Sequence, residues 1–180
     1  MRNSRKPTDQ QQTRFHLTDY ATAWESMVRY LGWDHLAFLT YRYPPAQGDE
    51  FRGIAQLVSC LTRRTECPVP WFATAEFYSG SVRTATHLNV LFAGTEGVSI
   101  DALNRLWNHR HGFSRFRIYD SQLTGARYAC KYLGTDKAID SFSSNFPKWY
   151  KQVNGQDYRD VLWSRSSSSG SGLSFTQDAT

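Results

Sequence analysis

Two short stretches carry side chains suited to phosphodiester chemistry. The first, Arg127-Tyr128-Ala129-Cys130-Lys131-Tyr132-Leu133, offers two phenols and an ammonium. Tyr128 and Tyr132 are four apart, so on a helix they share a face, and Lys131 borders it. A free tyrosine, with a pKa of about 10, is a poor nucleophile at neutral pH. It needs a metal on the phosphate or a nearby ammonium to stabilise the developing charge. Two tyrosines at this spacing can alternate between cleaving a strand and transferring it. The plainer reading is a pair of aromatics packing an amphipathic helix onto a sheet.

The second stretch is Thr86-His87-Leu88-Asn89-Val90-Leu91-Phe92. Strand alternation sends Leu88, Val90 and Phe92 one way, towards helices, and His87, Asn89 and Leu91 the other. The preceding strand sets Phe72, Thr74, Glu76 and Tyr78 on one face. A suitable hairpin register brings Glu76 beside His87 and Asn89. An imidazole, a carboxylate and an amide oxygen suit a divalent ion such as Mg²⁺ or Mn²⁺. The plainer reading is a half-buried histidine bonded to a neighbour, with Glu76 on a wet face.

The elements that must position these groups follow from periodicity. Thr18 can cap a helix whose apolar residues are Ala21, Trp24, Met27, Val28 and Leu31. His35 to Tyr43 reads as a strand stopped by Pro44-Pro45. Asp49 to Arg64 reads as a helix with Phe51, Ile54, Leu57, Val58 and Leu61 inward. Pro70 to Ser79 and Thr84 to Ala93 form a hairpin around Ser79-Gly80-Ser81. Ser99 caps a helix to about Asn108, Phe113 to Tyr119 is a strand, and Leu123 to Leu133 is a helix ended by Gly134. The pattern predicts an α+β fold, a central, mainly antiparallel sheet flanked by helices.

The 180 residues suffice for one domain with a core, and 40% are hydrophobic. Residues 1–14 read as a disordered basic arm, 15–163 as the globular domain, and 164–180 as a Ser/Gly-rich flexible tail. The net charge of +5 points to a polyanionic partner. Its distribution says more. Arg105 to Lys151 holds nine Lys/Arg against three acids, a net +6, interleaved with Phe113, Phe116, Tyr119, Tyr128 and Tyr132. Bases stack on rings and phosphates take the charge in single-stranded nucleic acid, although a solvated basic face is the commoner use of such a run. Cys60, Cys67 and Cys130 are odd in number and lack metal-finger spacing, as expected of a reducing cytosol. The amino-terminal residues form no apolar signal core and no run reaches membrane-span length, so the expectation is a cytoplasmic, DNA-associated protein with no membrane partner.

The order of these features resembles the rolling-circle replication initiators of the HUH endonuclease superfamily, over roughly residues 33–146. Ala37-Phe38-Leu39-Thr40-Tyr41-Arg42-Tyr43 looks like their first motif. Glu76, a turn and His87-Leu88-Asn89 look like their second, His-hydrophobic-His. Tyr128 to Tyr132 is similar to the third, Tyr-x-x-Lys-Tyr, of two-tyrosine members. Trp107 to Phe116, leading into the tyrosine helix, also has the family's look.

The resemblance implies an RRM-like nuclease fold. It implies that Tyr128 attacks a scissile phosphate in single-stranded or hairpin DNA at a replication origin, leaving a 5′-phosphotyrosine and a free 3′-hydroxyl. Tyr132 would be the second nucleophile, for rejoining at termination, and Lys131 would steady charge. His87, Asn89 and Glu76 would hold Mg²⁺ or Mn²⁺, while Arg127, Arg115, Arg117, Thr40 and Arg42 would contact DNA. Host polymerase and helicase would complete replication, because the chain carries no Walker-type loop. The departure is Asn89, where the family usually has a second histidine. Three outcomes stay open: an active site with altered metal preference, a relative that binds origin DNA without cutting, and a loss particular to this sequence. An RRM-like binding module is disfavoured, since the middle strand exposes His87 and Asn89 rather than aromatics. A relaxase would carry its tyrosine before the histidine motif. A small transposase of the superfamily shares this motif order but usually has one tyrosine, so Tyr132 favours an initiator.

Overall fold

The computed structural model describes residues 20–77, 85–135 and 137–161. The expected arm, the Thr18 cap, Tyr78, the Ser79-Gly80-Ser81 turn and the Ser/Gly-rich tail lie outside the described residues. The chain order begins with a helix, α1 (residues 20–28), then β1 (His35–Tyr41), α2 (Arg52–Thr65), β2 (Trp71–Phe77) and β3 (Ala85–Phe92). It continues through α3 (Ile100–Arg110), β4 (Gly112–Ile118), α4 (Gly125–Cys130), β5 (Ala138–Phe142) and α5 (Phe146–Asn154).

The five strands form one sheet in the order β4-β1-β3-β2-β5, and every neighbouring pair is antiparallel. The fold class is therefore α+β with helices on both faces. Alternation along each strand divides the side chains between two apolar layers. Ala37, Leu39, Ala73, Ala75, Leu88, Val90 and Phe92 pack under Ile54, Leu57 and Leu61 of α2 and Leu103 and Trp107 of α3. Leu36, Phe72 and Leu91 pack on the other face with Trp24, Met27 and Val28 of α1, Ala126 and Cys130 of α4, and Phe146 and Tyr150 of α5. The Trp24 and Phe72 rings stack at 4.9 Å.

Local chemistry sets the boundaries. Ser99 caps α3, its hydroxyl accepting from the Ala102 amide at 3.3 Å, an interaction worth about 1 kcal/mol at a helix start. At the start of β4 only a glycine fits: a Cβ on Gly112 would lie 2.2 Å from the Thr40 carbonyl oxygen. That close approach lets β4 begin directly against β1.

Two elements extend the sequence reading. β5 is a short edge strand of mixed polarity, Ala-Ile-Asp-Ser-Phe, with little alternation to mark it. α5 carries Phe146, Trp149, Tyr150 and Val153 at helical spacing, with Pro147 in its first turn, where a missing amide is harmless. A third difference concerns α4. It spans Gly125–Cys130 rather than Leu123 to Leu133, and Lys131 to Gly134 form a turn. The Leu133 amide bonds back three residues to the Cys130 carbonyl at 3.0 Å, tightening the end, and Gly134 adopts φ +78 to leave it.

Candidate active site

Directly opposed residues of antiparallel strands present their side chains on the same face. Thr40 of β1 lies opposite His87 of β3, and His87 opposite Glu76 of β2. Phe38, Asn89 and Thr74 form the next rung across the same three strands. The face is graded along β3. Leu91 is buried beneath α1 and α5, Asn89 is buried beside α4, and His87 is half-buried at the polar end.

The expected proximity of Glu76, His87 and Asn89 holds. The Asn89 side-chain amide donates to Glu76 Oε1 at 2.6 Å. Thr40 Oγ1 and His87 Nδ1 are 2.9 Å apart, so the threonine orients the imidazole. A bulge follows at Glu76/Phe77, where β2 departs from the β3 register.

α4 lies over β2 and β3 and is pinned there by Thr74, whose hydroxyl donates to the Ala129 carbonyl at 2.7 Å. Ala126, Ala129 and Cys130 face inward, which leaves Arg127 and Tyr128 outward. Lys131 Nζ reaches Glu76 Oε1 at 3.3 Å, so the tyrosine segment and the strand pair meet through an ion pair. The same ammonium lies 3.6 Å from the Tyr128 ring centroid and 4.6 Å from that of Tyr132. Burial alone would depress this amine. Its hydrogen bond to Tyr128 and the charge of Glu76 outweigh that and raise it above the ordinary lysine value.

Both candidate phenols are accessible: Tyr128 is 43% exposed and Tyr132 38%. Tyr41 behaves differently. Burial pushes its phenol up to about 12, and it donates to the Glu50 carbonyl at 2.8 Å while accepting from the Gly53 amide. Its hydroxyl is thereby committed to fastening the start of α2. Tyr119 is likewise pushed up to about 12 by burial, with its hydroxyl on the Arg29 carbonyl.

The residues expected to contact DNA fall in several places. Arg115 and Arg117 lie opposite Phe38 and Leu36, which puts them on the site's face, exposed on the edge strand. Arg127 is exposed on α4, beside Lys131 in a small cleft against α1. Arg42 is exposed just past β1, its amide bonded to the His111 carbonyl. Three further residues belong to this face. Phe38 meets Tyr128 edge to face at 5.3 Å, so it sets the phenol's position. Phe113 lies opposite Thr40 and is 67% exposed. Asp140 of β5 lies opposite Thr74, and burial raises its carboxyl above the ordinary value. Alternation from His87 was enough to find Phe38 once β1 was paired with β3. Asp140 required β5.

A metal ion would have to be held with amide help. Among the described residues no three histidine, cysteine or acidic side chains cluster as a metal site. Glu76, His87 and Asn89 supply one anionic oxygen, one imidazole and one amide on a single face, a set whose chemistry fits a hard divalent ion. Glu76 is also the partner of Lys131 and Asn89, so an ion would share or displace those contacts.

Compared with protein-family models, with curated proteins and with solved structures, the chain finds no match in any of the three.

Proposed function

We propose that this protein is a tyrosine endonuclease and strand transferase of the HUH type, acting on single-stranded or hairpin DNA at a replication origin. The observation that carries the reading is the 3.3 Å contact between Lys131 and Glu76, which joins the two-tyrosine segment to the Glu76–His87–Asn89 face. Tyr128 Oη attacks the scissile phosphorus. The bond to the 3′-oxygen breaks, the phenol releases its proton, and the departing 3′-oxygen takes one up. One phosphodiester is exchanged for another, so the energy of the linkage is kept for rejoining. Lys131 stabilises the phenolate and the phosphate charge that develops as the bond forms. A divalent ion at Glu76, His87 and Asn89 would polarise the phosphate when bound. Phe113, Arg115 and Arg117 provide an exposed ring and two cations for a flexible single strand on the same sheet face as Phe38, which packs against the reacting phenol. Host polymerase would extend the 3′-hydroxyl, and a host helicase would open the duplex.

A second reading has its own observation. Glu76 already has an ammonium against it and Asn89 turns its amide donor towards it, an arrangement complete without metal. That favours a relative that binds single-stranded DNA without cutting it. A transposase of the same superfamily would share the first step but carry a single nucleophile.

The test incubates the full chain with a labelled pool of random-sequence single-stranded oligonucleotides and Mn²⁺, Mg²⁺ or EDTA. The products are separated on a denaturing gel. A covalent protein–DNA band that needs metal and disappears in Tyr128→Phe is expected. Salt-sensitive binding with no covalent band under any metal would establish the non-cleaving reading.

A further inference from the structure

The opposite side of the sheet carries a second basic surface. α2 ends in Arg63 and Arg64, and the outer side of α3 carries Arg105, His109 and Arg110. All five are exposed. Arg63 and Arg110 converge on one point, their guanidinium groups lying 3.3 and 3.7 Å from Cys60 Sγ. Arg64, Arg105, His109 and Arg110 line an open cleft of about 760 Å³, with Asp101 the one acid in its wall. Among the described residues, none of the four arginines has a carboxylate within ion-pair distance.

A helix dipole explains a cation in a last turn, worth about 0.3–1 kcal/mol at a surface. It explains neither Arg105, a full turn earlier on α3, nor the convergence of side chains from two helices. Like charges that outnumber the one acid beside them repel one another, and a bound polyanion removes that cost. The cleft also presents amides. Ser114 Oγ sits 2.8 Å from the carboxamides of both Asn104 and Asn108, which line the cleft, and its single proton can go to only one of them.

The two faces differ in one respect that selects the ligand. The face bearing Tyr128 sets Phe113 among its arginines, a ring on which an unpaired base can stack. The α2–α3 cleft is lined by arginines, asparagines and a histidine, with no phenyl, phenol or indole in its wall. Guanidinium and amide donors with one imidazole and no larger ring among them suit phosphates whose bases are already paired. We propose that the α2–α3 cleft binds the sugar-phosphate backbone of duplex DNA, without sequence preference, while the other face handles the single strand. The choice of nucleic acid as the polyanion rests on the function proposed above. The charge cluster does not.

The test compares the full-length chain with an Arg64→Ala/Arg105→Ala/Arg110→Ala variant. Binding to a labelled mixed-sequence duplex is measured by anisotropy across a salt series, and binding to a labelled single strand in parallel. The variant is expected to bind duplex about tenfold or more weakly. Its log–log salt slope should be shallower by about 2–3, near 0.9 for each phosphate that is no longer neutralised. Single-strand binding stays intact, which reports that the variant is folded. Lysine at the same three positions should keep the slope. Unchanged duplex affinity and slope in the alanine variant would overturn the proposal. So would equal loss of duplex binding in Arg115→Ala/Arg117→Ala, or tighter binding of an acidic peptide than of duplex at the same salt. Failure of the nuclease reading would be seen separately, as no covalent adduct from a protein whose duplex binding still depends on the α2–α3 arginines.

Discussion

Tyr128 and Tyr132 share a lysine, yet their surroundings differ. Tyr128 is packed against Phe38 with its ring centroid 3.6 Å from the Lys131 ammonium, while Tyr132 sits on the turn after α4 with its ring centroid 4.6 Å from the same charge. On the proposed function, the phenol fixed by Phe38 and the cation is the first nucleophile, and the one on the turn is the second, acting once a new strand end arrives. Tyr132→Phe should therefore form the covalent adduct at the normal rate and fail to rejoin strands, measured with a second labelled oligonucleotide as acceptor. Loss of the first cleavage would reverse the roles. Lys131→Met should retain the adduct but form it on the order of 10²-fold more slowly, the usual cost of removing one preorganised charge stabiliser. A third residue governs stability with pH. His35 is buried with its Nδ1 2.8 Å from Thr95 Oγ1, and desolvation holds its pKa below the ordinary 6.5 despite neighbouring Asp34. The unfolded chain thus binds this proton more readily. Stability is complete above pH 6.5 and falls as pH drops from there through the folded value. His111 is lowered as well, by burial and by Arg110, and adds to the same trend. Melting temperatures between pH 7.5 and 5 should fall less steeply for His35→Gln than for the parent, with a residual slope from His111.

At the scale of elements, the site depends on a helix of six residues that cannot hold itself. A helix this short is unstable alone, so α4 exists because the sheet holds it. Thr74 is the specific tie. Thr74→Val keeps the shape, removes the donor and leaves the buried Ala129 carbonyl unpaired, which should cost about 1–2 kcal/mol. Urea midpoints would give that loss. Amide exchange should quicken in α4 more than in α3, and adduct formation should slow with it. Equal exchange in both helices would mean that Thr74 stabilises the fold without positioning the tyrosines. This tie also shows where the sequence was readable. Alternation around His87 and Glu76 assigned faces correctly because Thr74, Glu76, His87 and Asn89 fall on alternate positions of two strands that pair in register, while the positions between them are apolar. The tyrosine spacing located the second half of the site. The end of α4 was less legible: Leu133 continues the apolar pattern past the point where the backbone tightens into a turn, and only Gly134 marks the exit. β5 was not legible, since an edge strand facing solvent has no need of strict alternation. α5 was marked in the sequence by its aromatic spacing. The contact between Lys131 and Glu76 was beyond local pattern because it depends on tertiary docking of α4.

Across the whole molecule, one sheet serves as the floor of two apolar layers, so the two are expected to unfold together. Leu88, Val90 and Phe92 belong to the layer of α2 and α3, while Leu91, between two of them on the same strand, belongs to that of α1, α4 and α5. Melting either layer exposes one side of β3 and removes the support of the other. Phe146 is fully buried at the centre of the α5 layer, against Trp33, Phe142 and Tyr150. Phe146→Ala should cost about 3–5 kcal/mol through reduced burial and an unfilled cavity. If the layers are one cooperative unit, the slowest-exchanging amides of α3, on the far side of the sheet, accelerate as much as those of α5. At about 1.4 kcal/mol per factor of ten, the common acceleration is on the order of 10²-fold or more. Fast exchange confined to α1, α4 and α5, with α3 unchanged, would show instead that the tyrosine-bearing layer opens by itself. The face bearing Tyr128 would then loosen while the α2–α3 cleft keeps its shape.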